Sequence, residues 1–213
     1  MDFYKLKEKL LNKDNIISRE KYKSAGVMVL IAELNGKDYF VLQKRAKNIT
    51  QGGEISFPGG RYDESDKSYL ETSLREVEEE MGISRERIKV VGKLGTLIVP
   101  TGIIVESYVG MIDLKSKNEF KVQDDEVERV IYFPLEEALN QKPRIEMLTT
   151  ETHPYYEKDG KVYEFPAEAL NLPEKYHKSW KSPPRKVYIY SYKNDIIWGI
   201  TADLIFETLK MLE

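Results

Sequence analysis

The chain has 213 residues, of which 41% are hydrophobic and 32% are charged, and its formal net charge is −3. This balance is typical of an ordinary folded protein, and it argues against a disordered chain and against a basic surface built to hold nucleic acid. Cysteine is absent, which excludes disulfides, thiol nucleophiles and cysteine-based zinc sites.

In chain order, apolar periodicity and turn signals predict helices and strands in irregular alternation. The predicted helices cover residues 2–12, 68–81, 135–139 and 201–212. The predicted strands cover residues 24–34, 38–43, 55–57, 88–97, 103–112, 127–133 and 186–192. Asn35-Gly36 predicts a tight hairpin turn between the first two strands. This mixture predicts an α+β fold.

The segment from residue 141 to residue 185 has a weaker pattern and is rich in proline, which predicts loops and turns around short elements. A lid, a dimer contact and a substrate-selecting loop are alternative roles for this variable segment, so a homodimer is an open alternative. At this length we expect a single domain over residues 1–213. The N-terminus has no apolar run suited to secretion or membrane crossing, so we expect a cytoplasmic protein without membrane contact.

The most informative stretch is the string Phe57-Pro58-Gly59-Gly60, followed by a predicted helix rich in glutamate. At about 100° per residue, Glu80 lies about 40° to one side of Glu76, and Glu79 lies about 60° to the other side. Like charges at these spacings repel each other, so the cluster makes most sense beside a cation. Carboxylate oxygens without cysteine or histidine suit Mg²⁺ or Mn²⁺, which bind phosphate oxygens at the same time.

The opposite side of this helix carries an apolar stripe that predicts packing into a core. Its members are Leu70, Leu74, Val77 and Met81. Ser68 with Glu71 predicts an N-terminal capping box, and Gly82 predicts a left-handed C-terminal cap. The alternative to a metal site is a solvated acidic helix face, but the preceding glycine turn and the apolar stripe favour the metal site.

The string from Arg75 to Ile83 resembles the second half of the signature of the Nudix hydrolases, R-E-U-x-E-E-x-G-U, where U is aliphatic. The front half departs from that signature. Arg61 stands where the signature glycine belongs, and Lys67 stands at the position of the first glutamate, with Asp66 beside it.

The longer front half resembles the coenzyme A pyrophosphatase branch of that family. The similar segments are Val41-Leu42-Gln43-Lys44-Arg45-Ala46, Gly53-Glu54-Ile55-Ser56-Phe57-Pro58-Gly59-Gly60, Ser65-Asp66, Asp125-Glu126-Val127 and Ile197-Trp198-Gly199-Ile200-Thr201-Ala202. Ala46 replaces the usual serine, and Gln51 stands where a histidine is common. Both replacements concern substrate recognition more than chemistry.

The resemblance implies an α/β/α sandwich with a central mixed sheet and a hydrolase that requires Mg²⁺ or Mn²⁺. It implies that Glu76, Glu79 and Glu80 bind the metal and that Arg75 orients these carboxylates. The implied reaction cleaves coenzyme A, or a derivative, to 3′,5′-ADP and 4′-phosphopantetheine. The alternatives are a Nudix pyrophosphatase of ADP-ribose, NADH or a nucleoside triphosphate, and, more remotely, a non-catalytic Nudix binding module.

Several further residues have two readings each. Gly59 and Gly60 either let the backbone approach metal and phosphate closely or form a plain tight turn. Arg45 is a candidate to bind substrate phosphate, including the 3′-phosphate of coenzyme A, although an arginine at a strand end is common. The general base is Glu79 or Glu126, and the alternative for Glu126 is a solvated acidic turn.

Two other residues also have alternative roles. Asp66 is either an outer ligand in place of the missing glutamate or a cap of its turn. Trp198 is expected to pack in the core and not to stack on a base.

Overall fold

The computed structural model describes residues 16–212, so the helix predicted over residues 2–12 lies outside the described residues. The chain divides into two compact units, one ending at Leu135 and the other beginning at Glu136. A single domain over residues 1–213 stays a prediction. No helix within residues 16–212 is long and apolar enough to cross a membrane.

The first unit is built on a mixed seven-stranded sheet. Its strands are β1 (Lys23–Leu34), β2 (Lys37–Arg45), β3 (Ile55–Ser56), β4 (Gly59–Arg61), β5 (Lys89–Val99), β6 (Ile103–Asp113) and β7 (Val127–Pro134). The main path runs β3-β2-β1-β6-β5, while β4 pairs with β1 and β7 pairs with β2. The β1 and β6 strands are parallel, and the other pairs are antiparallel. The predicted α+β class with a mixed sheet is therefore confirmed.

The hairpin between β1 and β2 turns at the predicted residues. Asn35 and Gly36 have φ angles of 54° and 72°, and positive φ at both central residues is the requirement of a type I′ turn. Leu34 pairs with Lys37 across this turn. The turn therefore sets the register that places the side chains of β2 on one face or the other.

One helix, α1 (Tyr69–Met81), packs on the sheet of the first unit. Its stripe residues Leu74, Val77 and Met81 lie in a buried cluster with Met28 of β1 and Val41 of β2. The Ser68 half of the predicted capping box forms, since the Ser68 hydroxyl accepts a hydrogen bond from the Glu71 N–H at 3.2 Å, while the Glu71 carboxylate pairs with Arg85 at 3.1 Å. The helix ends as predicted at Gly82, which has φ 63° and donates its N–H to the Glu78 carbonyl.

The second unit contains a three-stranded antiparallel sheet and two two-stranded ones. Its strands are β8 (Arg144–Leu148), β9 (Glu151–Thr152), β10 (Tyr155–Lys158), β11 (Lys161–Glu164), β12 (Trp180–Lys181), β13 (Arg185–Tyr192) and β14 (Asp195–Trp198). A short helix, α2 (Leu135–Asn140), spans the boundary between the units, and the second unit ends in α3 (Gly199–Lys210). Phe206 of α3 stacks on Tyr188 of β13 with ring centres 4.1 Å apart.

Two expectations for this second unit are corrected. Strand β14 was not predicted, although it pairs with β13 through four residues. Trp198 at its end is 46% exposed, so the prediction that it packs in the core is wrong. Successive side chains of a strand point to opposite faces of the sheet, and a tryptophan at the last position of a short strand has few neighbours to cover it.

Gly26 sets how closely α1 approaches the sheet. A Cβ on Gly26 would lie 2.3 Å from the Tyr69 carbonyl oxygen and 2.9 Å from the Thr72 Cβ. We expect Gly26→Ala to lower the free energy of unfolding by about 2 kcal/mol, because backbone and helix must separate. Urea denaturation measures this loss. Gly92→Ala in β5 is the matched control, since no atom lies within 4 Å of its added Cβ. Equal effects of the two changes would contradict the close contact at Gly26.

Candidate active site

The glycine pair forms an edge strand and not an isolated tight turn. Gly59 pairs with Val27, and Gly60 pairs with Gly26, in the antiparallel ladder between β4 and β1. A Cβ on Gly59 would lie 2.6 Å from the Gly26 carbonyl oxygen, and a Cβ on Gly60 would lie 2.3 Å from the Glu76 Oε1 atom. The tight-turn reading is thus wrong. The two glycines let β4 pass closely between β1 and the carboxylate of Glu76.

Glu80 is the most buried acid of the site, with a side chain that is 2% exposed. The Gly59 N–H donates a hydrogen bond of 3.0 Å to its Oε2 atom. The Nη1 atom of Arg45 lies 3.6 Å from its Oε1 atom. Burial raises the pKa of Glu80 to about 7, although the Gly59 N–H acts in the opposite direction. The surrounding protein therefore compensates only part of the cost of burying the Glu80 charge.

Glu76 and Glu79 share one guanidinium group. The Nη1 atom of Arg75 lies 2.9 Å from Glu76 Oε1 and 2.7 Å from Glu79 Oε2. Burial raises the pKa of Glu76, the Arg75 charge opposes that effect, and the charges of Glu79 and Glu126 add to it. The Glu79 side chain is 52% exposed. The three acids thus lie on one side of α1, its carboxylate face, with Glu80 deeply buried, Glu76 mostly buried and Glu79 accessible.

Asp66 fixes Arg75 in this position. Its Oδ1 and Oδ2 atoms lie 3.1 Å from Nε and 3.2 Å from Nη2 of Arg75. The Thr72 hydroxyl donates a further hydrogen bond of 2.8 Å to Asp66 Oδ2, and the Arg75 guanidinium lowers the pKa of Asp66. Two parallel bonds between a carboxylate and a guanidinium restrict both groups strongly. Asp66 also caps its turn by accepting the Asp63 N–H, so its main added role is to orient Arg75.

Glu126 reaches this region on a loop that is bound to the end of α1. The Lys121 N–H donates to the Met81 carbonyl at 3.0 Å, and the Gln123 N–H donates to the Glu80 carbonyl at 3.2 Å. The Ala46 N–H donates to the Glu126 carbonyl at 2.9 Å. The charge of Glu126 acts on the pKa of Glu76, so the two carboxylates share one electrostatic environment.

The accessible side of the carboxylate face borders an open cleft of about 540 Å³. The cleft is lined by Arg61, Tyr62, Asp63, Ser65, Arg75, Glu76 and Glu79. Its size is that of a small-molecule site. Arg61 and Tyr62, which the sequence did not single out as binding residues, lie on this wall.

The donor set fits a divalent cation, although the acids face their arginine partners. Within residues 16–212, no three His, Cys, Asp or Glu side chains stand together as ready metal ligands. Arg75 holds Glu76 and Glu79, while Gly59 and Arg45 hold Glu80. Carboxylate oxygens are nevertheless the ligands that Mg²⁺ and Mn²⁺ prefer, and Gly60 leaves the space beside Glu76 free of a side chain.

The raised pKa of Glu80 predicts a pH dependence of stability. Burial raises the pKa of Glu80 from its ordinary value of 4.5 to about 7 in the folded chain. The stability contributed by protonated Glu80 is therefore fully present below about pH 4.5 and is lost as the pH rises through 7. Glu80→Gln removes this pH-dependent loss of stability, because the amide does not ionise. With divalent ions chelated, we expect the advantage of the variant over the parent to grow by about 2 kcal/mol between pH 5 and pH 8.5.

Urea denaturation at the two pH values measures this difference. Glu64→Gln, at an exposed position, is the matched control for the loss of one negative charge. A difference between Glu80→Gln and the parent that stays constant with pH would show that Glu80 is ionised freely in the folded chain.

Comparison with known proteins identifies the family. The sequence matches the NUDIX domain family over residues 23–154, a range that includes every site residue described above. It is 30% identical over 197 residues to the uncharacterized Nudix hydrolase NudL of Yersinia pestis (strain Pestoides F), covering 90% of this chain and 83% of the relative. NudL of Yersinia pseudotuberculosis serotype O:1b (strain IP 31758) matches to the same extent.

A solved structure supports the fold. The crystal structure of a MutT/nudix family protein from Enterococcus faecalis aligns with a TM-score of 0.52 at 16% identity. The alignment covers 100% of this chain and 70% of that protein. With a family match over more than half of its residues and relatives of 30% identity, the chain belongs to the Nudix family.

Proposed function

We propose that the chain is a metal-dependent hydrolase that cleaves the pyrophosphate bond of coenzyme A, or of a coenzyme A derivative, to 3′,5′-ADP and 4′-phosphopantetheine. The chain is a Nudix pyrophosphohydrolase, and the proposal concerns its substrate, its metal and the roles of its residues. The observation that carries it is the carboxylate cluster around Glu76: Glu76 and Glu79 share Arg75 beside an open cleft, and Glu126 and Glu80 are close enough to Glu76 for their charges to interact with it.

Hydrolysis of a phosphate anhydride requires that negative charge be neutralised and that a water be oriented. We assign Glu76, Glu79 and Glu80 as the residues that would hold Mg²⁺ or Mn²⁺, which would neutralise charge on the pyrophosphate when bound. Arg75, fixed by Asp66, keeps these carboxylates on one side of the cleft. The absence of side chains at Gly59 and Gly60 lets β4 lie directly against β1 and the Glu76 carboxylate, so the β4 backbone stands next to the proposed metal ligand.

The general base is Glu79 or Glu126. Glu79 borders the cleft and is half exposed, so a water molecule can reach it. Glu126 acts on Glu76 electrostatically and is carried by a loop with its own backbone anchors. Loops on a rigid scaffold are frequent carriers of such groups. Comparing the pH dependence of turnover in Glu79→Gln and Glu126→Gln distinguishes the two.

Arg45 is proposed to contact substrate phosphate. Its side chain is 21% exposed, and its Nη1 atom lies 3.6 Å from Glu80 Oε1, so it can interact with both the buried carboxylate and a bound phosphate. A contact with the 3′-phosphate would make coenzyme A a better substrate than dephospho-coenzyme A.

The second candidate substrate class consists of other nucleoside diphosphate compounds, namely ADP-ribose, NADH and nucleoside triphosphates. The same carboxylates would serve these substrates, and the segments from Val41 to Gly60 that resemble the coenzyme A branch favour coenzyme A. A non-catalytic Nudix binding module is disfavoured because Glu76, Glu79 and Glu80 are all present. Cytoplasmic location, independence of nucleic acid and a homodimer also belong to this proposal.

Glu79→Gln is expected to lower turnover by about two to four orders of magnitude, because it removes a metal-binding or proton-accepting oxygen. Steady-state rates with saturating Mn²⁺ measure this loss, and urea denaturation checks that the fold survives. Glu78→Gln is the matched control, since Glu78 pairs with Arg85 at 2.9 Å, away from the cleft. A near-normal rate for Glu79→Gln would remove this residue from the mechanism.

The substrate proposal is tested by mass spectrometry of the products formed with Mg²⁺ or Mn²⁺. The substrates compared are coenzyme A, dephospho-coenzyme A, ADP-ribose, NADH and a nucleoside triphosphate. We expect 3′,5′-ADP and phosphopantetheine from coenzyme A, with slower turnover of the others. Faster turnover of another compound would contradict the coenzyme A proposal and leave the carboxylate chemistry intact. No turnover of any compound would favour a binding module.

A further inference from the structure

Gln43 is a buried amide next to the carboxylate face. Its side chain is completely buried. It lies on the same face of β2 as Val41, which packs against α1 in the core cluster, because alternate residues of a strand share one face. The Gln43 amide is near enough to Glu80 to lower the pKa of that carboxyl. A long polar side chain therefore points from the sheet toward the most buried acid of the site.

The polar atoms of this amide are poorly satisfied. Among the residues that the structure describes, Nε2 and Oε1 of Gln43 are both buried without a hydrogen bond of ordinary geometry, and a polar neighbour of theirs is the Glu80 carboxylate, whose pKa the amide lowers. Buried polar groups in folded proteins are nearly always hydrogen-bonded, so each exception needs a physical reason. An apolar side chain of the same length would avoid the cost of desolvating a poorly paired amide, so we expect this glutamine to add little to the stability of the metal-free fold.

Ser56, on the neighbouring strand β3, is a second polar side chain with a buried atom that lacks a hydrogen-bond partner within residues 16–212. It is paired with Gln43 in the antiparallel ladder between β2 and β3, so the two side chains project from the same face of the sheet. The Ser56 Oγ atom is also buried without a partner among the described residues. Gly59, which donates its N–H to Glu80, follows three residues later. Two buried and poorly hydrogen-bonded polar side chains, Gln43 and Ser56, thus lie side by side on the sheet near Glu80.

We propose that Gln43 and Ser56 are positioning residues that hydrogen-bond the water shell of a divalent cation bound by Glu80. This inference rests on the proposed metal-dependent function. Mg²⁺ and Mn²⁺ usually keep several water ligands, and each such water donates hydrogen bonds outward. The Gln43 Oε1 and Ser56 Oγ atoms can accept those bonds, and the Gln43 N–H can donate to the Glu80 carboxylate. Outer partners of this kind orient metal ligands and tune affinity.

The test combines Mn²⁺ affinity with the stability of the metal-free protein, using Gln43→Met and Ser56→Ala. Mn²⁺ affinity is measured by electron paramagnetic resonance of the free ion, and stability is measured by urea denaturation with a chelator present. We expect Gln43→Met to weaken Mn²⁺ binding about tenfold or more, while its urea midpoint stays equal to that of the parent or rises. Ser56→Ala is expected to weaken binding less and to leave the midpoint unchanged.

Two matched controls make the same substitutions at other positions, where the polar side chain already forms hydrogen bonds within the protein. Gln141 makes two hydrogen bonds of 2.9 Å with the Ser191 backbone, and Ser73 Oγ donates one of 2.8 Å to the Leu70 carbonyl. We expect Gln141→Met and Ser73→Ala to lower the urea midpoint without changing Mn²⁺ affinity.

The possible results separate this inference from the proposed function. Unchanged Mn²⁺ affinity in Gln43→Met, with a lowered urea midpoint, would show a structural water or contact and overturn the inference alone. Normal affinity in both variants at unchanged stability would overturn it as well. Absence of Mn²⁺ binding to the parent protein would overturn both the inference and the metal-dependent function.

Discussion

A carboxylate that is almost fully buried must be compensated by donors or by positive charge, because its desolvation is otherwise too costly. Glu80 imposes this constraint on the site. The Gly59 N–H and the Arg45 guanidinium both approach its oxygens, yet burial still raises its pKa to about 7. The pairing of β4 with β1 brings Gly59 to this position, and the absence of a Cβ at Gly26 brings α1 to it. The local fold thus places one insufficiently compensated charge where a cation would be stabilised.

Arg75 stands at the centre of the remaining acids. It contacts Asp66, Glu76 and Glu79 at distances between 2.7 and 3.2 Å. A divalent cation bound by Glu76 and Glu79 would compete with Arg75 for their oxygens, since one carboxylate has a limited number of lone pairs. Asp66, which is bonded to Arg75 at two atoms, would keep the guanidinium in place when the glutamates turn to the metal. The same residues explain the arrangement seen in the chain and, under the proposed function, how Glu76 and Glu79 would be released to a metal.

Local signals in the sequence predicted much of this structure. The Asn35-Gly36 turn, the caps of α1 at Ser68 and Gly82, and the opposed acidic and apolar faces of that helix all depend on residues within a few positions of each other. The features that sequence reasoning missed depend on distant partners. The pairing of Gly59 and Gly60 with β1 and the ladder contact of Gln43 with Ser56 follow from the sheet topology, which no local pattern specifies.

The bond between Asp66 and Arg75 is partly indicated by the sequence. An acid nine residues before an arginine, close to a glycine turn, is within reach of that arginine. The exposure of Trp198 has no such indication, since an apolar residue in a short terminal strand is expected to be buried. Such differences arise where burial is decided by which elements meet, and not by the character of the residue itself.

The proposed function requires that the carboxylate face of α1 bind a divalent cation. A crystal structure of the protein soaked with Mn²⁺, with anomalous diffraction recorded near the manganese absorption edge, tests it most directly. We expect an anomalous peak in contact with carboxylate oxygens of at least two of Glu76, Glu79 and Glu80, with Arg75 still bonded to Asp66. A peak elsewhere, or no peak while Arg75 keeps both Glu76 and Glu79, would contradict it.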